Sequence, residues 1–139
     1  CAFFLKNTPQ YAFEKGNKLE NVNISLKGYT LLLVIPNIEI STKFAYKGVK
    51  AKKPDVSLKK PIEELPVNEW KHHIQNDFEA HIFEHYKELK NIKDQLYQSG
   101  AVFASLSGSG SSIFGIFENT PPAVNFPDAY FVWKEMLRY

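Results

Sequence analysis

Gly100-Ala101-Val102-Phe103-Ala104-Ser105-Leu106-Ser107-Gly108-Ser109-Gly110-Ser111-Ser112-Ile113-Phe114-Gly115-Ile116-Phe117 is the stretch that decides the fold. Its two ends, Val102 to Leu106 and Ile113 to Phe117, are short apolar runs rich in aromatic and aliphatic residues, and they read as strands. Between them, Ser107 to Ser112 carries only serine and glycine and no charge. Glycine reaches backbone angles that other residues avoid. Such a turn can bring several backbone N–H groups to one point, and convergent N–H groups make a concavity for anions. Serine and glycine also dominate ordinary turns, so a plain hairpin loop is the competing reading.

Upstream of this hairpin the period changes. Trp70, Ile74, Phe78, Ile82, Tyr86 and Leu89 recur every three or four residues, and Ile92, Leu96 and Tyr97 continue the pattern. One helix from Asn68 to Ser99 would be too long for a compact domain, so breaks are expected near Asn76-Asp77 and near Lys87. Gly100 stops the last helix. Further back, Tyr29 to Ile35 is a nearly continuous apolar run that predicts a central, deeply buried strand. After Pro36-Asn37, Ser41 or Thr42 can cap a short helix carrying Phe44, Ala45 and Tyr46. Tyr11 to Glu14 and Asn21 to Leu26 predict two strands around a Lys15-Gly16-Asn17 turn. Lys50 to Pro66 reads as a connecting loop with one helical turn near Ile62 to Leu65. Beyond the hairpin, Asn119 to Pro127 holds three prolines and predicts irregular chain. Tyr130 to Trp133 predicts a last strand. Strand, helices, strand, strand, irregular connection, strand predicts an α+β, ferredoxin-like two-layer domain, with a mostly antiparallel sheet and helices on one face.

Composition narrows the function. The net charge of +2, from 17 basic and 15 acidic side chains, gives no electrostatic case for nucleic acid. Lys50, Lys52, Lys53, Lys59 and Lys60 cluster, but among prolines and acids, as on a solvated loop. No apolar run approaches the ~18 residues of a membrane span. The single cysteine, Cys1, suits a reducing compartment, and a cytoplasmic location is expected. The chain opens on the apolar run Cys1-Ala2-Phe3-Phe4-Leu5 and its only methionine is Met136, so a piece of a longer chain is expected.

His81-Ile82-Phe83-Glu84-His85 matches the H-x-x-E-H pattern of inverted zinc peptidases, in which two imidazoles one helical turn apart meet a metal. A peptidase needs a third ligand on another helix, and the chain after residue 100 offers few acids. The histidines therefore read as the solvated side of a helix whose core face carries Phe78, Ile82 and Tyr86, and no metal site is expected. The hydrolase elbow G-x-S-x-G is absent. Ser111 follows Gly110 where the Walker A loop has lysine, and the turn joins two strands where a dinucleotide fingerprint would open a helix. A phosphate bound here would need its charge met by Mg2+ or by another domain.

Together these residues resemble the C-terminal part of the GHMP kinases. Ala104-Ser105-Leu106-Ser107-Gly108-Ser109-Gly110-Ser111-Ser112-Ile113-Phe114 is similar to that family's glycine-rich turn near the ATP phosphates. Asn76-Asp77-Phe78-Glu79 resembles a segment that opens a helix. Pro36-Asn37-Ile38-Glu39-Ile40-Ser41-Thr42 resembles the stretch leading to the substrate pocket. Cys1 to Leu5, with Phe13-Glu14-Lys15-Gly16, resembles the segment just beyond the catalytic aspartate.

The resemblance implies an ATP- and Mg2+-dependent kinase of non-mevalonate isoprenoid biosynthesis, phosphorylating the 2-hydroxyl of a cytidine-diphosphate-linked methylerythritol. It implies a phosphate loop of Gly108, Ser109, Gly110 and Ser111, and substrate contacts from Thr42 and Tyr46. Tyr46 either stacks on the base or packs on the sheet. Asn76 and Asp77 read as a helix cap before a ligand. Residues 1–28 would be the remnant of an N-terminal ATP-binding domain and 29–139 the C-terminal domain. The general-base aspartate would lie just before Cys1, and the ATP loop and a lysine further upstream. The piece would then be inactive alone and leave an exposed apolar patch or a homodimer where the missing domain belongs. The family usually has a helix where Asn119 to Pro127 is proline-rich. The alternative is a stand-alone ferredoxin-like module that binds or senses a small ligand.

Overall fold

The computed structural model describes residues 8–14, 16–49 and 57–138. The opening run Cys1 to Leu5, Lys15, and Lys50, Lys52 and Lys53 lie outside the described residues. Strands β1 (Gln10–Phe13) and β2 (Lys18–Asn21) form a separate antiparallel pair. The second strand therefore lies earlier than Asn21 to Leu26, and it is the polar Lys-Leu-Glu-Asn segment that pairs. Ile24 and Leu26 pack into a hydrophobic cluster instead. Burial, not strand pairing, is what their apolar character signals.

The main sheet holds β3 (Thr30–Ile35), β4 (Phe103–Leu106), β5 (Ile113–Phe117) and β6 (Phe131–Met136) in the order β4-β5-β3-β6. Every neighbouring pair is antiparallel. This is the ferredoxin-like strand order, with the irregular segment 119–130 in place of a second crossover helix. β3 is central as expected. Thr30, Leu32 and Val34 are buried on one face, while Leu31 and Leu33 face the other and are half-buried.

On the first face lie α1 (Thr42–Lys47), α4 (Phe78–His85) and α5 (Lys87–Gln98). Ala45, Ile82, Leu89, Ile92 and Leu96 pack there against Leu32, Val34, Ala104, Leu106, Ile113 and Phe117. Each fully buried leucine or isoleucine of this layer contributes roughly 1.5–3 kcal/mol. Not every helix lies on that face. α2 (Lys59–Glu64), a 3-10 turn at Val67–Glu69 and α3 (Trp70–His73) end in a cluster of Val67 and Trp70 with Phe103 and Ile116 on the opposite face. Trp70 meets Phe103 edge to face at 5.7 Å. The helical turn near Ile62 is thus a helix beginning at Lys59.

The breaks fall where the sequence places them, at residues 74–77 and at Tyr86. β6 runs three residues past Trp133, and Phe131, Val132, Trp133 and Met136 are exposed along it.

Candidate functional site

Ser107 to Ser112 closes the β4–β5 hairpin, and its own bonds are few. Ser107 N–H donates to the Ser112 carbonyl at 2.8 Å, and Gly110 N–H to the Ser107 carbonyl at 3.0 Å. Among the described residues, the N–H groups of Gly108, Ser109, Ser111 and Ser112 have no protein acceptor. The amides are not locked in sheet pairing. They remain free to face an anion. Gly108 (φ 57°) and Gly110 (φ 90°) hold the left-handed angles that bend the chain. Gly110 also has a close neighbour: a Cβ there would stand 3.1 Å from Ile40 Cδ1. Its part in the turn is backbone angle and close approach, since its own N–H is used internally.

Helix α4 holds this turn by its base. Asn76 Nδ2 donates to the carbonyls of Leu106 and Gly108, both at 2.8 Å, while Asn76 Oδ1 accepts from Phe78 N–H at 3.0 Å. The side chain, one residue before the N-cap Asp77, thus binds the N–H of the helix's first residue and fixes the turn at once. Glu79, in the first turn of the same helix, is 5% exposed. Its Oε1 accepts from Leu106 N–H at 2.9 Å and from Ser105 Oγ at 3.1 Å, and Lys93 Nζ donates to its Oε2 at 2.6 Å. A buried carboxylate needs such partners. These bonds also occupy the free edge of β4, as does Tyr97, whose hydroxyl donates to the Ala104 carbonyl at 3.2 Å. Burial is the main reason the Tyr97 hydroxyl has a raised pKa. The Ala104 backbone acts in the opposite direction, and the charge of Glu79 raises it further.

Thr42 and Tyr46 stand four apart on α1, both exposed. Ser41 Oγ caps that helix by accepting from Phe44 N–H at 3.2 Å. Tyr46 meets Phe78 edge to face at 5.0 Å and is 63% exposed, so it is not packed on the sheet. Ile40 against Gly110 and Tyr46 against Phe78 join α1, the first turn of α4 and the glycine-rich turn into one end of the molecule. Sequence reasoning missed Glu79. The signal was a carboxylate on the apolar stripe of Ile82 and Tyr86, one turn ahead of them.

Residues 58–130 match the family model described as GHMP kinases C terminal. This chain belongs to the GHMP kinase family. The match takes in the glycine-rich turn and the Asn76–Glu79 segment that holds it, and stops short of α1. Among curated relatives of this GHMP chain, 4-diphosphocytidyl-2-C-methyl-D-erythritol kinase of Parabacteroides distasonis is 49% identical over 118 residues, which is 85% of this chain and 43% of the relative. The kinase of the same name from Bacteroides thetaiotaomicron is 41% identical over 139 residues, or 99% of this chain and 50% of the relative. The chain therefore spans about half the length of these relatives. A solved 4-(cytidine 5'-diphospho)-2C-methyl-D-erythritol kinase superposes with a TM-score of 0.67 at 24% identity, over 84% of this chain and 43% of that one, which shows the shared fold. Among the described residues no helix is long and apolar enough to cross a membrane.

Proposed function

We propose that this chain is the C-terminal half of an ATP-dependent kinase that phosphorylates the 2-hydroxyl of 4-diphosphocytidyl-2-C-methyl-D-erythritol, in the cytoplasm and in isoprenoid biosynthesis. The names of the relatives support the substrate. The observation that carries the site is the set of open N–H groups at Gly108, Ser109, Ser111 and Ser112. Neutral donors on a rigid hairpin suit a phosphate chain, whose transfer depends on positioning and on stabilising spread charge. Gly110 shapes the turn, and the Ser109 and Ser111 hydroxyls add donors.

Mg2+ takes oxygen ligands and favours phosphates. Glu79, the carboxylate at the base of the turn, is committed to Lys93 and to the β4 edge, so Mg2+ would be held through phosphate oxygens. On α1, Thr42 and Tyr46 present a hydroxyl and an open aromatic face to the cytidylyl substrate. A base stacked on Tyr46 is worth roughly 1–3 kcal/mol. The general base and the lysine that the family pattern places upstream of Cys1 would complete the cleft.

Titration of the 15N-labelled chain tests this reading. A non-hydrolysable ATP analogue should shift the amide signals of Gly108 to Ser112, and the cytidylyl substrate those around Thr42 and Tyr46. The chain alone should show no ATP turnover. Shifts confined to other elements, or turnover by the pure chain, would overturn the proposal.

A further inference from the structure

The last turn of α4 carries a cluster that phosphoryl transfer does not use. His81, Glu84 and His85 each bring a ligand atom within 4.8 Å of the other two. We propose that these three side chains bind one divalent transition-metal ion, zinc above all.

Three features of the cluster favour a metal, orientation first. His85 Nδ1 lies 3.0 Å from the His81 carbonyl, which can only accept, so Nδ1 carries the proton and Nε2 keeps its lone pair. A backbone carbonyl behind one ring nitrogen is the arrangement that fixes a metal-binding imidazole. The second is the seat of His81. Its ring lies over Gly48, where a Cβ would fall 1.9 Å from Cγ and 2.1 Å from Nδ1. Phe44 packs against it with ring centroids 4.7 Å apart, and the His81 and His85 rings are 4.6 Å apart. Its Nε2, on the side of the ring away from Gly48, is buried and has no hydrogen-bond partner among the described residues. A shielded ring nitrogen without a partner is costly, and a metal bond supplies one. The third is charge. Glu84 is exposed and in no ion pair among the described residues, so its carboxylate is available.

Two imidazoles and a carboxylate are a zinc donor set, with water at the fourth position. Zinc–ligand bonds of about 2.0–2.2 Å need these atoms, now within 4.8 Å of one another, to draw closer, and the exposed Glu84 side chain can supply that movement. With Glu84 as a ligand the cluster has no general base left, so the site is a clamp and not a peptidase. The two imidazoles it would hold pack against Phe44, with ring centroids 4.7 and 5.2 Å away, and so brace α1, which carries Thr42 and Tyr46.

The test is calorimetric titration of the untagged chain with ZnCl2, with Co2+ absorption as a spectroscopic readout. The expected result is one equivalent bound, visible bands of four-coordinate Co2+, and a higher thermal midpoint. His85→Gln and Glu84→Gln, at exposed positions, should each lower affinity about tenfold or more, and His81→Ala should abolish binding. The double variant His72→Ala/His73→Ala should bind as wild type. No saturable zinc binding by the wild-type chain would overturn the proposal. So would full binding by folded His85→Gln, or loss of binding in the His72/His73 variant.

Discussion

Glu79 receives three donors in a place where water hardly reaches. Replacing it with alanine leaves Leu106 N–H without its acceptor and Lys93 without its counter-ion. Removing one partner of a buried ion pair costs about 3–5 kcal/mol, and the one-fifth exposure of Lys93 points to the lower end. Glu79→Ala should therefore lower stability by about 3 kcal/mol, read as a shifted urea midpoint at unchanged slope. Glu79→Gln keeps an acceptor oxygen and should lose less. Asn76→Ala removes two bonds to turn carbonyls and one helix-end bond, worth about 2 kcal/mol together. It should also blunt the response of Gly108 to Ser112 to a nucleotide analogue, because the turn loses its brace. A Gly110→Ala chain in which those signals respond as in wild type would count against the turn geometry, since alanine there meets both φ 90° and Ile40.

At the level of elements, Tyr97 on α5 links the helix layer to the free edge of β4. Its hydroxyl ionises at higher pH in the folded chain than in the unfolded one. Above the ordinary tyrosine range of about pH 10 the unfolded chain releases that proton first, so stability falls as pH rises through the folded value. Below that range the contribution is fully present. Tyr97→Phe should flatten the alkaline limb of a stability-against-pH curve measured by chemical denaturation, while costing about 1 kcal/mol at neutral pH. The elements themselves were mostly legible. The 3.6-residue stripe marked α4 and α5 and their break, and the apolar run Tyr29 to Ile35 marked a central strand, because burial leaves a trace in the pattern of apolar residues. β2 left none, since its Lys-Leu-Glu-Asn sequence is nearly all exposed and carries a single apolar residue, Leu19. The placement of Val67 and Trp70 on the far face was equally hidden, as periodicity says which side of a helix is apolar but not which layer it meets. In the site, glycine and serine announced a turn, whereas the bracing by Asn76 and Glu79 depends on contacts about thirty residues apart.

For the molecule as a whole, the net charge is small and the glycine-rich turn has no lysine. Neutral amides alone should hold a nucleotide weakly, at a dissociation constant on the order of 1 mM, which corresponds to about 4 kcal/mol. Titration by NMR measures this directly, and micromolar affinity in the lone chain would mean that charged groups outside the turn take part. Both neighbours of β3 come late in the sequence: Val34 pairs with Ile113 and with Val132. A ribosome adding roughly 5–20 residues per second needs several seconds to pass from Ile35 to Phe117. Through that interval the most apolar strand has both backbone edges bare, with neither of its partners yet made. Nascent chains should thus depend on holding factors most during this window, and released, full-length chains should depend on them far less.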